Sequence, residues 1–433
     1  MNNKFKIIGF FLIFCHFANG QDSSWPLPKC IDIALQNNIE IKIRQLEVKR
    51  TQKQHNSILN QMLPSVDLTG NQNYNFGSTI DPATNARVSS KIQNDNFFLN
   101  AQMNLIDFKA FATAQKTKID IEKAKADKEV IENEYKLQLL DSYYQALFTQ
   151  ELVRIQTDQL KNAKFNLDRI TKEVSIGSKP KSDLYDMQLS FAQEEKRLVE
   201  SQQLLLVQKT QLFQIMNYYE VVIADVVLEN YLTENQSQVA AISNSPQIKS
   251  AELNYKGNLK LINLERGNNL PRLTTYYSFS TFYYRPINGG ANAVDPFSQQ
   301  LDDNKSHQFG LQLSLPVFNG FRNNKRIAAS KIEAEKSKFT IAQEKQKIDN
   351  QVTLENQNKT NYLQLQSKLS EMLEYAKASF TTTQAKFSSG QIDAVVFSSV
   401  KNQLLTTEYD VLKNNLQLQY VDLKINLIQN NQL

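Results

Sequence analysis

The sequence predicts a mixed fold, in which very long helices are joined to a few β-strands and one structural unit occurs twice. Three observations lead to this prediction. Two tracts of about 65 residues contain neither glycine nor proline, each tract follows segments of alternating apolar and polar residues, and similar motifs recur about 210 residues apart. A repeat of this length indicates two copies of one supersecondary unit.

The repeat keeps its order along the whole chain. Motifs of the first half recur in the second half at spacings of 207 to 213 residues. The matched motifs are NNIEIKIRQLE at Asn37 with NSPQIKSAELN at Asn244, Leu63-Pro64 with Leu270-Pro271, and VSIG at Val174 with FSSG at Phe387. The small drift in spacing is what a loop or part of a helical turn can absorb.

Residues 1–20 have the pattern of a secretory signal peptide. Lys4 and Lys6 precede a short apolar run, and Ala18-Asn19-Gly20 supplies small residues for a cleavage site. The apolar run is too short for a typical membrane span, although an uncleaved anchor is the alternative. We therefore predict four segments along the chain: a signal peptide over 1–20, a first repeat over 21–217, a linker over 218–244 and a second repeat over 245–433.

Each repeat is expected to begin with a helix of moderate length, Lys29 to about Met62 in the first copy and Ser245 to about Asn269 in the second. The Leu-Pro pair ends each helix, because the residue before proline is disfavoured in helical conformation. The loops that join the strands, Gly77–Asn94 and Arg285–Lys305, are predicted to be long because they are rich in turn-forming residues.

Two strands of about ten residues are predicted after each of these helices. Apolar residues alternate with Ser, Asn and Gln in three of the four strands; these apolar residues are Val66, Leu68, Tyr74 and Phe76, then Phe97, Leu99, Ala101, Met103 and Leu105, then Phe309, Leu311, Leu313 and Leu315. The remaining strand, Arg272 to Tyr284, is aromatic on both faces, so its orientation is less decided.

The tracts after the strands, Lys109 to about Lys172 and Arg322 to about Ser389, are predicted to be helices about 100 Å long. Gly177 and Gly390 are expected to end them, and Ser182 with Asp183 to start the next helix of the first copy. The helix that follows each glycine is here called the return helix. Each return helix, together with the first helix of its repeat, is about as long as one of these tracts. The helices should therefore pair along their length.

Strands of this alternation, leading directly into such helices, indicate an outer-membrane barrel more than a soluble sheet. Four strands cannot close a barrel, and an open sheet edge in lipid would leave backbone groups without hydrogen bonds. Several chains are therefore expected to share one barrel that encloses a pore.

The doubled unit, the signal peptide, the Leu-Pro pairs, LPVFNGF before the second long helix and the helix-ending glycines together resemble the TolC family of outer-membrane efflux proteins. The resemblance implies a homotrimer with a twelve-stranded barrel, four strands per chain, and an α-barrel that crosses the periplasm. It also implies a channel of a tripartite efflux or secretion system. In such a system the helix tips bind a periplasmic adapter protein, and an inner-membrane transporter supplies the energy.

The resemblance further implies that the adapter docks at the two glycine turns. The residues concerned are Val174, Ser175, Ile176, Gly177, Phe387, Ser388, Ser389 and Gly390. We expect these turns to leave backbone carbonyls and serine hydroxyls open to a partner.

In the family, acids follow the glycine of the second repeat by six and nine residues and narrow the tip. Val396 and Ser399 occupy those places here, whereas Asp183 and Asp186 occupy them in the first repeat. These two aspartates are candidate aperture acids, or they serve only the positive end of a helix.

The composition argues against other function classes. Cys30, His55 and His307 are the only cysteine and histidines after the signal peptide, so a multi-histidine metal site is not expected. No nucleophile and base are paired in the sequence, and we predict neither enzymatic activity nor a cofactor. A net charge of +5 gives no case for nucleic-acid binding. A coiled-coil scaffold protein of the cell envelope, without a pore, is the alternative function.

Overall fold

The computed structural model describes residues 24–80, 84–230, 245–287 and 295–431. The predicted signal peptide and residues 231–244 of the predicted linker lie outside the described residues. The chain divides into two compact units. Among the described residues, the turn unit comprises those within 24–39, 132–230 and 351–431, and the sheet unit comprises those within 40–131 and 245–350.

The helices and strands follow one another in an order that repeats. They are β1 (Ser24–Trp25), α1 (Leu27–Asn37), α2 (Ile39–Gln54), α3 (Ile58–Met62), β2 (Ser65–Ile80), β3 (Arg87–Asp107), α4 (Phe108–Ser175), α5 (Lys181–Met216), a 3₁₀ turn (Ile223–Asp225), β4 (Val227–Leu228), α6 (Pro246–Gly267), β5 (Arg272–Pro286), α7 (Phe297–Asp303), β6 (Ser306–Ser314), α8 (Arg322–Ser388) and α9 (Ala394–Asn430).

The sheet unit contains one antiparallel sheet in the order β2-β3-β5-β6. The prediction of a long loop over Gly77–Asn94 is wrong, because β2 and β3 stay paired as far as Ile80 opposite Arg87. The strands extend beyond the apolar alternation because ladder hydrogen bonds join backbone groups, whatever the side chains are. The second predicted loop contains α7, which the sequence did not indicate.

The strand register places the alternating apolar residues of the four strands on one face of the sheet, while Phe98 and Phe282 fall on the other. Two rows run across it, Val66–Ala101–Tyr277–Phe309 and Leu68–Leu99–Phe279–His307. The other face carries mostly hydroxyl and carboxamide side chains, among them Ser65, Thr69, Asn71, Asn96, Asn100, Gln102, Ser278, Gln308 and Gln312. The register also settles β5, since Tyr277 falls on the apolar face and Tyr276 on the polar one.

The prediction of one continuous helix from Lys29 to Met62 is wrong. This segment forms α1, α2 and α3, with Asn38 in extended conformation at the end of α1. Ser57 caps α3, because its hydroxyl accepts the Asn60 N–H at 3.2 Å. Asn and Ser compete with helical hydrogen bonds through their side chains, which explains why the segment divides at these residues. The corresponding helix of the second repeat, α6, agrees with its prediction.

The four long helices agree closely with the sequence. The helices α4 and α8 have 68 and 67 residues, and the return helices α5 and α9 have 36 and 37 residues. No helix among the described residues combines the length and the apolar composition that crossing a membrane requires.

The core of the turn unit lies where β1 pairs with β4. Tyr143 is fully buried, and its hydroxyl lies 2.8 Å from the Trp25 carbonyl oxygen and accepts the Glu229 N–H at 3.1 Å. Trp25 packs edge-on against Phe213, with ring centroids 4.8 Å apart. These contacts fix the segment around Trp25 and the segment after α5 to the same part of α4.

Candidate functional site: the two glycine turns

Both long helices end in the same backbone motif. Gly177 and Gly390 have φ angles of +76° and +74°, which residues with a side chain rarely adopt. The N–H of Gly177 donates to Val174 and that of Ser178 donates to Glu173, at 3.1 and 2.8 Å. Gly390 and Gln391 make the equivalent bonds at 3.1 and 2.9 Å. These two hydrogen bonds form the Schellman motif, which satisfies carbonyls in the last turn of each helix.

The carbonyls of Val174 and Phe387 and the hydroxyl hydrogens of the turn serines are thus already bonded within the chain. The expectation that the carbonyls next to each glycine and the serine oxygens stay open to a partner remains a prediction. Ser175 donates its hydroxyl hydrogen to Lys172 O at 2.7 Å, and Ser388 donates to Gln384 O at 2.8 Å. Serine near a helix end often bonds a carbonyl three or four residues back, because its short side chain reaches that carbonyl. A hydroxyl that donates in this way retains lone pairs, so it can still accept a hydrogen bond.

The predicted docking residues divide into a surface group and a buried group. The surface group consists of Ser175, Ile176, Gly177, Ser388, Ser389 and Gly390. Ile176 is 79% exposed, which is unusual for a side chain of this size. Phe387 is only 6% exposed and Val174 is half-buried, so these two residues support the turns from beneath.

A buried cluster beneath the turns, here called the turn cluster, consists of Ile170, Met187, Phe387 and Phe397. It takes one residue from each of the four long helices. The rings of Phe387 and Phe397 are stacked, with centroids 4.2 Å apart and planes 10° from parallel. Because all four helices contribute to it, the turn cluster holds both turns as one surface.

Arg169 covers the turn cluster. Its guanidinium carbon lies 4.0 Å from the centre of the Phe387 ring, and its Nε donates to Glu173 at 2.8 Å. A guanidinium in this position is attracted by the negative face of an aromatic ring. Sequence reasoning missed Arg169 and Phe397. The only signal in the sequence is the pair of phenylalanines on either side of Gly390.

The two candidate aperture acids differ in environment. Asp183 lies in the first turn of α5 with a carboxylate oxygen 3.6 Å from Lys179 Nζ, whereas Asp186 is exposed. The prediction that Ser182 starts this helix is wrong, because α5 begins at Lys181 after an extended Pro180. Proline fixes its own φ at a value that a helix start tolerates, and the start of α5 has no side-chain cap bond.

In the second repeat an aspartate that we did not single out starts the return helix. Asp393 is the N-cap of α9, and its carboxylate accepts the Val396 N–H at 2.9 Å. Among residues 24–80, 84–230, 245–287 and 295–431, no group of three or more His, Cys, Asp or Glu could hold a metal ion.

Comparison with known families identifies this arrangement. The family described as outer membrane efflux protein matches the chain twice, over residues 30–218 and 239–427. The chain belongs to the outer membrane efflux protein family. The two matched segments correspond to the two repeats, and together they cover most of the sequence.

Solved structures of outer-membrane channels have the same fold. The chain is similar to Vibrio cholerae VceC (13% identity, TM-score 0.76, covering 93% of this chain and 96% of that one). It is also similar to Campylobacter jejuni CmeC (13% identity, TM-score 0.74, covering 93% of this chain and 85% of that one). A third similar structure is the open state of Neisseria gonorrhoeae MtrE (14% identity, TM-score 0.71, covering 93% of this chain and 89% of that one). A search of curated proteins finds no match.

Membership of this efflux protein family decides the main functional question. The chain is an outer-membrane channel with helices that extend into the periplasm, and it is not an enzyme. Channels of this family are trimeric and work in tripartite efflux systems. The pore-free scaffold is therefore the wrong alternative. In membrane barrels the apolar face of the strands contacts lipid and the polar face lines the interior.

Proposed function

We propose that this efflux channel docks a periplasmic adapter protein through the surface group of its two glycine turns. A homotrimer with a twelve-stranded barrel would then receive its substrates from an inner-membrane transporter, which supplies the energy. The observation that carries the proposal is the turn cluster, since four helices hold two turns of equal backbone geometry as a single exposed surface.

The character of that surface suits contact with another protein. Ile176 offers an exposed apolar side chain, and the remaining members of the surface group are glycine or serine. Small residues let a partner backbone approach closely, and burial of an isoleucine contributes about 1.5 to 3 kcal/mol. Because the carbonyls of Val174 and Phe387 are already bonded within the turns, recognition would depend mainly on shape, on apolar contact and on the serine oxygens.

Closure of the barrel supports the trimer. The outer edges of β2 and β6 have no partner strand among the described residues. Each unpaired backbone group in lipid costs several kcal/mol, and joining β6 of one copy to β2 of the next removes both edges. Three chains of four strands give the twelve strands of the proposed barrel.

Asp186 is the better candidate for an acid that narrows the pore near the turns. Lys179 balances part of the charge of Asp183, while Asp186, about one turn later on the same helix, is exposed. A ring of three such carboxylates in the trimer would favour cations over anions at that level.

The proposal is tested by replacing Ser175 and Ser388 with arginine in one chain. Both serines are exposed, so the bulky side chains should block a partner without disturbing the turn cluster. We expect export and adapter cross-linking to be lost, while trimer formation and membrane insertion are unchanged. The matched control replaces the same residues with alanine and should export normally. Normal export by the arginine variant would show that the turns are not the docking surface.

A further inference from the structure

The strand β5 continues beyond the strand that pairs with it. The pairing of β5 with β6 ends at Ser280 opposite Ser306, but β5 runs on to Pro286. Residues 281–286 therefore have no strand on that side within the described part of the chain. An exposed edge of this kind would be a template for pairing with another polypeptide.

Side chains of α7 and of the residue after it close this edge. The carboxamide of Gln300 accepts the Tyr284 N–H at 2.9 Å and donates to the Tyr284 carbonyl at 3.0 Å. Asn304 donates to the Phe282 carbonyl at 2.9 Å. A carboxamide has one donor side and one acceptor side, like a peptide unit, so Gln300 replaces a residue of the missing strand. Gln300 is only 8% exposed, as expected for a structural group.

The position of α7 follows from these bonds. It lies beside β5 where a longer β6 would lie, and Phe297 packs on the apolar face of the sheet. The Phe297 ring centroid is 5.0 Å from that of Tyr283 and 6.4 Å from that of Phe97. Even so, Phe297 remains 46% exposed, so a partner can still contact it.

The lengths of the edge strands indicate which partner that is. β2 has 16 residues and β6 has 9, so at least seven residues of β2 extend past β6 when two copies are joined. The strands β2 and β6 each have one end that connects to a helix, and these ends lie on the same side of the sheet. Rotation about the barrel axis repeats this arrangement in every copy. The excess of β2 therefore lies at the Ile80 end. In the neighbouring copy this is the level of α7, because α7 directly precedes β6.

We infer that α7 is a subunit-contact element, in which Phe297 and the exposed residues beside it pack against the Tyr74–Ile80 part of β2 in a second copy of this chain. Tyr74 and Phe76 are 52% and 68% exposed and lie on the same apolar face as Phe97. The inference rests on the trimeric barrel of the proposed function. It adds a contact outside the strand ladder that only the assembled trimer completes.

Disulfide cross-linking of the full-length channel in its membrane tests this contact. The test variant carries Ser78→Cys on β2 and Ser298→Cys on α7. Within one chain β3 and β5 separate these positions by about three strand spacings, or about 14 Å, which a disulfide cannot bridge. Mild oxidation should therefore give covalent dimers and trimers. The native Cys30 is buried and should not react.

The matched control pairs Ser298→Cys with Asn73→Cys, which lies on the polar face of the same strand, and should give only monomers after denaturation. Mass measurement of the unoxidised variant in detergent separates the two proposals. A trimer without the Ser78–Ser298 cross-link would overturn the role of α7 and leave the trimeric channel intact. A stable monomer would overturn both.

Discussion

The glycine turns at Gly177 and Gly390 share a backbone but differ in their side chains. When the sequences of the two repeats are aligned, exposed Ile176 corresponds to Ser389, and half-buried Val174 corresponds to buried Phe387. The first repeat thus supplies the apolar residue at the surface, and the second supplies the aromatic support beneath it. Equal backbones therefore let each repeat provide a different part of one surface.

The starts of the return helices differ in the same way. The carboxylate of Asp393 accepts a hydrogen bond from a backbone N–H of α9, whereas the corresponding Pro180 makes no side-chain cap bond. In the first repeat the acids come later, at Asp183 and Asp186, which correspond to Val396 and Ser399. Each repeat therefore has an acid near its turn. In the second repeat the acid is used to start the helix, and in the first it adds charge after the turn.

The largest expected effect comes from removing the aromatic support. Phe387→Ala deletes a buried ring that stacks on Phe397 and lies under Arg169, and buried Phe→Ala changes cost about 3 to 5 kcal/mol. Hydrogen exchange of the amides in both turns should become much faster. Val174→Ala, at the corresponding place in the first repeat, should have a smaller effect. Equal effects of the two variants would contradict the division between support and surface.

A smaller effect is expected at the helix starts. Asp393→Ala removes an N-cap bond and should destabilise the start of α9 by about 0.5 to 2 kcal/mol. Pro180→Ala removes no side-chain bond, so the start of α5 should change less. Amide exchange in the first turn of each helix measures both effects. A larger increase in amide exchange in α5 after Pro180→Ala than in α9 after Asp393→Ala would refute the assignment of the caps.

The long helices could be predicted from the sequence almost to the residue. Neither tract contains glycine or proline, and Gly177 and Gly390 are the first glycines after them, so the ends of α4 and α8 were determined locally. The strand lengths could not be predicted in this way. Beyond Phe76 the side chains of β2 are mostly polar, and pairing continues only because β3 continues beside it.

The candidate site was predictable only in its outline. The glycines marked the turns, but the buried position of Phe387 depends on Phe397 and Arg169, and Arg169 is 218 residues away in sequence. No local pattern reports a contact over that separation. The helix α7 was missed for a related reason. Its seven residues are too few for a periodic pattern, and contacts with β5 hold it in place.

Site-specific photo-cross-linking in growing cells shows directly whether the turns form the docking surface for an adapter. A photoreactive residue would replace Ile176 or Ser389 at the surface, and Met187, which is 4% exposed, as a buried control. We expect cross-links to one periplasmic protein from both surface positions and none from Met187. Absence of any cross-link from both surface positions in cells that still export substrate would contradict this expectation.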